Sequence, residues 1–324
     1  MATAVALLTA ACSGGQPSRP QDRSPEEERA GDTARVATSF AHAPESYPLD
    51  VYRTTAGEQA DVDRAISVLA RACMKKFGET RPAYEAPRGY FPLNARKYGP
   101  TDLESVRVYG YKPPLPDGIT RQEVVSAQRR ALAAERAITP ASEVVYTGVA
   151  QAAGKSGGTA VEVPPGVPKG GCHGLAQSEV RADEAGADLL VIQKLFFRAS
   201  GTTRKDPGTV ALDKKWSVCM RGAGMNYSNP LAAVDDSTWQ TQKTSVNGPH
   251  PNFPAPSAKE IEVAEADVRC KGRTGYVTGR YAIEARHQQK LIEENRSVLD
   301  AVMKRKQRMI ERAVSIVPDA PKKQ

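Results

Sequence analysis

Five cysteines and four histidines among 324 residues are the side chains of this sequence best suited to redox, metal or nucleophile chemistry. With Cys12 set aside, Cys73, Cys172, Cys219 and Cys270 make an even set, which outside the cytoplasm pairs into two disulfides with three possible connectivities. A zinc site would need a C-x₂-C pair or two histidines one helical turn apart, and the sequence has neither, so no metal and no cofactor is expected. Cys172-His173 sets a thiol beside a base, but neighbours in sequence seldom face each other and a disulfide consumes the thiol. Gly148-x₅-Gly154-Lys155-Ser156 approximates a phosphate-binding loop yet has five residues where that loop needs four. Asp61, Asp63 and the pair Asp235-Asp236 read as solvated acids of helix starts and loops. His250 and His287 stand alone and read as surface residues, and no catalytic residue is assigned. One patch invites a functional reading: Lys304, Arg305, Lys306, Arg308 and Arg312 would contact anionic lipid or wall polymer, at roughly 1 kcal/mol per basic residue near a charged membrane. The plainer reading of the same patch is a solvated face that complements the helix dipole.

Charge places that patch in context. The net charge is +8, and Arg269 to Gln324 carries 14 Lys/Arg against 6 Asp/Glu, so the whole excess belongs to the C-terminal segment. Such a segment favours anionic partners. No run approaches the roughly 20 apolar residues of a membrane-spanning helix. The 26 Gly and 24 Pro require ordered stretches to alternate with broken ones, and the length suggests about two domains.

The N-terminus reads as an export signal. Ala2 to Ala11 is an apolar run ending in small residues before Cys12-Ser13-Gly14-Gly15, and it resembles the start of a bacterial lipoprotein. That resemblance implies that Cys12 becomes the lipidated first residue of the mature chain, after a signal remnant at 1–11. Residues 12–45 are polar and Pro-bearing, with Glu26-Glu27-Glu28 and few large apolar side chains, as a disordered tether should be. Further on, W-x₂-C-M (Trp216, Cys219, Met220), A-x-A-D-x₂-C (Ala264, Ala266, Asp267, Cys270) and a Gln-rich helix with Gln288 and Gln289 resemble envelope lipoproteins of high-GC Gram-positive bacteria. No activity comes with that resemblance.

A weak repeat organises the elements that must position these residues. Cys73-Met74 followed by Gly78 and Cys219-Met220 followed by Gly224 share C-M-x₃-G, with Tyr84 and Tyr227 further on. Cys172-His173-Gly174 and Cys270-Lys271-Gly272 share C-x-G, each ahead of a helical pattern. The repeat favours Cys73–Cys172 and Cys219–Cys270, with the Gly of each C-M-x₃-G copy as a left-handed helix stop. The first helix is predicted over 57–77, with Ala65, Val68, Leu69, Ala72 and Phe77 as its buried stripe. Residues 104–111 predict a short strand or Tyr-rich loop, Thr120 with Glu123 caps a helix to Ala137, Val144-Val145-Tyr146 is strand-like, and 147–171 is a long loop. Helices follow over 175–199, with Ala185, Leu189, Ile192 and Phe196 buried, and over 208–221. Trp216 and Tyr227 read as core aromatics. From a capping box at Ser257–Glu260 the pattern runs to Val317 before Pro318, hinged near Gly272, Gly275 and Gly279. A continuous helix over 280–317 would be roughly 55 Å long. Its apolar pairs, from Leu291/Ile292 to Ile316/Val317, either pack along other helices or form a strip for a protein partner.

These readings predict a mainly α protein of helical hairpins stapled by two disulfides, with a long C-terminal helix and irregular Pro/Gly-rich loops. The helical halves would be 46–200 and 201–324. The expected function is accessory binding or scaffolding, without catalysis, at the outer face of the cytoplasmic membrane, with a lipid anchor and no nucleic-acid partner. The alternative is an envelope hydrolase of wall polymer, using Asp235, Asp236 or Glu179.

Overall fold

A computed structural model describes residues 46–86, 93–115, 119–152, 160–181, 190–239 and 255–317. Among them the chain is helical, without strands; Lys97–Gly99 and Gln151–Val161 form isolated bridges. A 3₁₀ turn at Pro48–Tyr52 precedes α1 (Ala56–Lys75), α2 (Leu103–Tyr109), α3 (Arg121–Arg136), α4 (Pro140–Thr147), α5 (Gly171–Arg181) and α6 (Val191–Lys205). Then come α7 (Pro207–Gly222), α8 (Pro230–Val234), α9 (Ala258–Thr274), α10 (Tyr276–Glu294) and α11 (Arg296–Ile316).

Both disulfides join the cysteines that the repeat favours. Cys73–Cys172 ties α1 to α5 and Cys219–Cys270 ties α7 to α9, with Cα atoms 5.6 and 5.7 Å apart. The two C-M-x₃-G copies close their helices in the same way. Gly78 and Gly224 have φ of 72° and 79°, and the next residue's amide, Glu79 or Met225, donates back to Met74 or Met220. Those are Schellman closures, and both methionines are fully buried beneath them. The C-x-G copies differ: Cys172 opens α5, whereas Cys270 lies in the last turns of α9.

Local chemistry explains where the helices depart from expectation. Residues 104–111 are largely helical because Asp102 accepts from the Glu104 and Ser105 amides, and Leu103 and Val106 bury one face. Strand-like Val144-Val145-Tyr146 lies in α4, where Thr139 caps, Pro140 starts the helix, and Gly148 ends it at φ 69°. In α1 the buried face is Val62, Ala65, Ile66, Ala70, Cys73 and Met74, whereas Val68 and Ala72 face solvent. Of the predicted 175–199 helix, α5 and α6 form the ends; Ala185 and Leu189 lie outside the described residues. The hinge expected near Gly275 separates α9 from α10, but the predicted rod over 280–317 is two helices, α10 and α11. Gly275 turns left-handed at φ 61°, and Asn295 breaks the path again, donating its side-chain amide to the Leu291 carbonyl at 2.7 Å. Ser257 caps α9, but the expected return bond from Glu260 is absent; that carboxylate turns inward instead, to the Tyr111 amide and Lys112.

Packing runs across the boundary at residue 200. Helix α6 runs through residue 200, α11 from the C-terminal end packs on α1, and α2 packs on α9. The apolar strip of the C-terminal segment is largely covered by the chain itself. Leu291, Leu299 and Val302 pack with Leu49, Ile192, Leu195 and Ala199, and Ala313 joins Val62, Ala65, Ile66, Ala176 and Val180. Val298 and Val314 are left exposed. The strip is therefore largely packed along the chain's own helices.

The α4–α5 junction is the tightest backbone contact. Gly148 and Gly171 both have positive φ, and a Cβ on Gly171 would fall on the Tyr146 carbonyl and the Gly148 amide. Gly171→Ala is expected to cost at least about 2 kcal/mol, because strain and a backbone clash add. Gly170→Ala, equally left-handed but with its nearest new contact at 3.6 Å, should cost about 1 kcal/mol. Urea midpoints of the two variants test the difference.

Candidate binding groove

One groove of about 610 Å³ lies where the 3₁₀ turn, α1, α5, α6 and α11 meet. Its apolar lining is Tyr52, Val62, Ile192, Phe196, Phe197, Val302 and Met309. Arg53, Arg181, Arg305 and Lys306 are also in the lining, which has no carboxylate among the described residues. The Lys306 ammonium donates to the carbonyls of Val51 and Arg53 at 3.2 and 2.7 Å and pairs with Glu58 at 3.2 Å. It thereby holds the 51–53 segment against α11. The Arg53 guanidinium lies over the Phe196 ring at 5.0 Å and pairs loosely with Asp50 at 3.7 Å. A smaller pocket of about 460 Å³ shares Arg53 and Phe196 and adds Arg96 and Lys97. The arrangement offers apolar contact area beside positive charge.

The densest polar cluster is internal. Lys271 and Asp267, both fully buried on α9, meet at 2.7 Å; Trp216 donates to the same carboxylate at 3.0 Å, and Lys271 donates to the Pro100 carbonyl at 2.9 Å. Burial pushes the Asp267 carboxyl up and the Lys271 ammonium down, and each partner pulls the other back toward its charged form. On α10, Glu284 accepts from Lys97, from the Tyr98 hydroxyl at 3.0 Å and from Gln288 at 3.0 Å, while Gln288 accepts from the Leu49 amide at 3.0 Å. Tyr47 donates to the Tyr98 hydroxyl at 2.8 Å, and burial raises both phenols. A Cβ on Gly99 would sit 2.9 Å from the Lys271 ammonium, so the chain crosses α9 closely there. This network fastens the helix-poor segment around 94–112 to α9 and α10. Sequence reasoning missed it, although Asp267/Lys271 and Glu284/Gln288 are i,i+4 pairs whose polar side chains interrupt apolar faces. Trp216, Met220, Ala264, Ala266 and Cys270 of the quoted motifs lie in the same core.

The residues singled out for chemistry are scattered. Cys12, His250 and Gly154-Lys155-Ser156 lie outside the described residues. His287, expected to stand alone, meets Asp206 at 2.9 Å, and Arg286 meets that carboxylate at 3.2 Å. The His287 hydrogen bond, with the Gly208 amide, holds the Asp206 carboxyl below its ordinary range. His173 stacks on Tyr146 with ring centroids 4.7 Å apart, and Cys172 beside it is spent in the disulfide. Asp61 pairs with Arg64, and Asp63 accepts from Gln59. The hydrolase suspects do not share an element: Glu179 is exposed on α5, while Asp235 and Asp236 follow α8, where Asp236 is held by Thr238 and Tyr227. The basic patch divides. Lys304 and Arg308 are exposed, Arg305 and Lys306 enter the groove, and Arg312 donates to the Glu179 carbonyl at 3.3 Å.

Fold and groove together define a disulfide-stapled, mainly helical protein with a cationic and apolar groove. Compared with known protein families, with curated proteins and with solved structures, the chain matches none.

Proposed function

We propose that this chain is an exported protein, anchored by acyl chains on Cys12 at the outer face of the cytoplasmic membrane, where it acts as a binding or scaffolding protein without catalysis. The observation that supports export is the pairing of all four remaining cysteines within bonding distance, since such staples persist in oxidising compartments and not in the cytosol. No helix among the described residues is long and apolar enough to cross a membrane. In this reading the lipid supplies the attachment. Exposed Lys304 and Arg308 would face the anionic surface.

Intact-mass measurement of the protein from its native host, before and after reduction, tests the proposal. The expected mass is that of a chain beginning at Cys12 with diacylglyceryl added, gaining four hydrogens when its two disulfides are reduced. An unmodified leader with all thiols titratable would overturn it.

A further inference from the structure

We infer that the groove between α1, α6 and α11 binds a single-chain anionic amphiphile: one acyl chain bearing a negatively charged head. The inference rests on the binding role proposed above and not on the acylation of Cys12.

Three observations converge on that ligand class. First, Val62, Ile192 and Val302 are buried and carry the groove's apolar wall down into two of the molecule's hydrophobic clusters. An inorganic anion would leave that wall unused. Second, Phe197 is 70 % exposed, the largest fraction among the large apolar side chains of the described residues, and it stands at the groove. A ring held in water beside an apolar wall is a surface that an acyl chain would cover. Third, the lining is cationic, with no carboxylate to oppose it among the described residues. Lys306 spends its donors within the protein, but Arg181 makes no hydrogen bond or ion pair among the described residues, and the Arg53 pair with Asp50 is long at 3.7 Å. Both guanidiniums can offer paired N–H donors to a phosphate or carboxylate. The volume of about 610 Å³ suits one chain with a small head and falls within the range of ligand-sized pockets. Two-chain lipids and long wall polymers are the occupants it fits worse.

Calorimetric titration of the full, disulfide-intact chain tests the inference, using amphiphiles below their micelle thresholds. Oleoyl-lysophosphatidylglycerol, oleate, oleoyl-lysophosphatidylcholine and inorganic phosphate are the four probes. Saturable binding of either anionic amphiphile is expected, with the zwitterion at least about tenfold weaker and phosphate alone silent. The tighter of the two anionic probes identifies the head as phosphate or carboxylate. Arg181→Gln should weaken binding about tenfold, and Phe197→Ser, at an exposed site where folding is undisturbed, several-fold. Unchanged melting temperatures establish that both variants fold. No binding of either anionic probe, equal binding of the zwitterion, or full affinity in both folded variants would overturn the inference. The mass of Cys12 is read separately, so an unacylated protein that still binds leaves this inference standing while the anchoring proposal falls.

Discussion

Lys271→Met is expected to cost about 3–5 kcal/mol, seen as a large fall in denaturation midpoint at unchanged slope. The substitution keeps the side-chain length but removes the cation from a pair that no water reaches, leaving the buried Asp267 with only Trp216 and the Tyr111 hydroxyl as donors and Arg96 as the nearby charge. It also strips the Pro100 carbonyl of its hydrogen bond, where the backbone passes Gly99 against the lysine. The penalty comes from the stranded charge more than from lost attraction. Lys271→Met combined with Asp267→Asn should therefore regain most of the loss, since the amide oxygen still accepts from Trp216 and no ion is left unpaired. A loss below about 1 kcal/mol in the single variant, or no recovery in the double, would contradict a buried ion pair.

Reduction of both disulfides is expected to unfold the domain near about 37 °C. The pairs close loops of 99 and 51 residues, and the chain-entropy argument assigns about 4–5 kcal/mol to each loop. Whole-domain stabilities are about 5–15 kcal/mol, so the two together are most of what is available. Calorimetric melting with and without a phosphine reductant measures the effect, and paired alanine variants separate the staples. Removal of Cys219 and Cys270 should be worse than loop length alone predicts, because Cys270 adjoins Lys271 and shares its core with Trp216. Melting unchanged by reduction would show that the pairs carry no stability.

Much of the architecture was legible because local rules act over a few residues. Thr120 and Ser257 sit at caps, Gly78 and Gly224 at left-handed stops, and Trp216 in the core. The C-M-x₃-G pairing was readable because each copy closes its helix by the same hydrogen bond. Val144-Val145-Tyr146 misled because two adjacent β-branched residues suit a strand, whereas a flanking cap, Pro140 and Gly148 impose a helix. Asn295 was not legible as a break, since a polar residue within an apolar pattern also fits a straight helix.

What the sequence determined by itself was short-range: helical class, cap positions, the favoured staples, and a charge excess concentrated from Arg269 onward. The tertiary structure alone decided which polar residues turn inward and which apolar ones remain wet. Glu260, Asp267, Lys271, Glu284 and Gln288 carry the types of solvated helix residues, and Phe197 carries the type of a core residue. Desolvation depends on what arrives from distant segments: the chain near Pro100 covers Lys271, whereas nothing among the described residues covers Phe197. Helical periodicity orients a side chain about its own axis, but only long-range packing determines whether water or protein stands opposite.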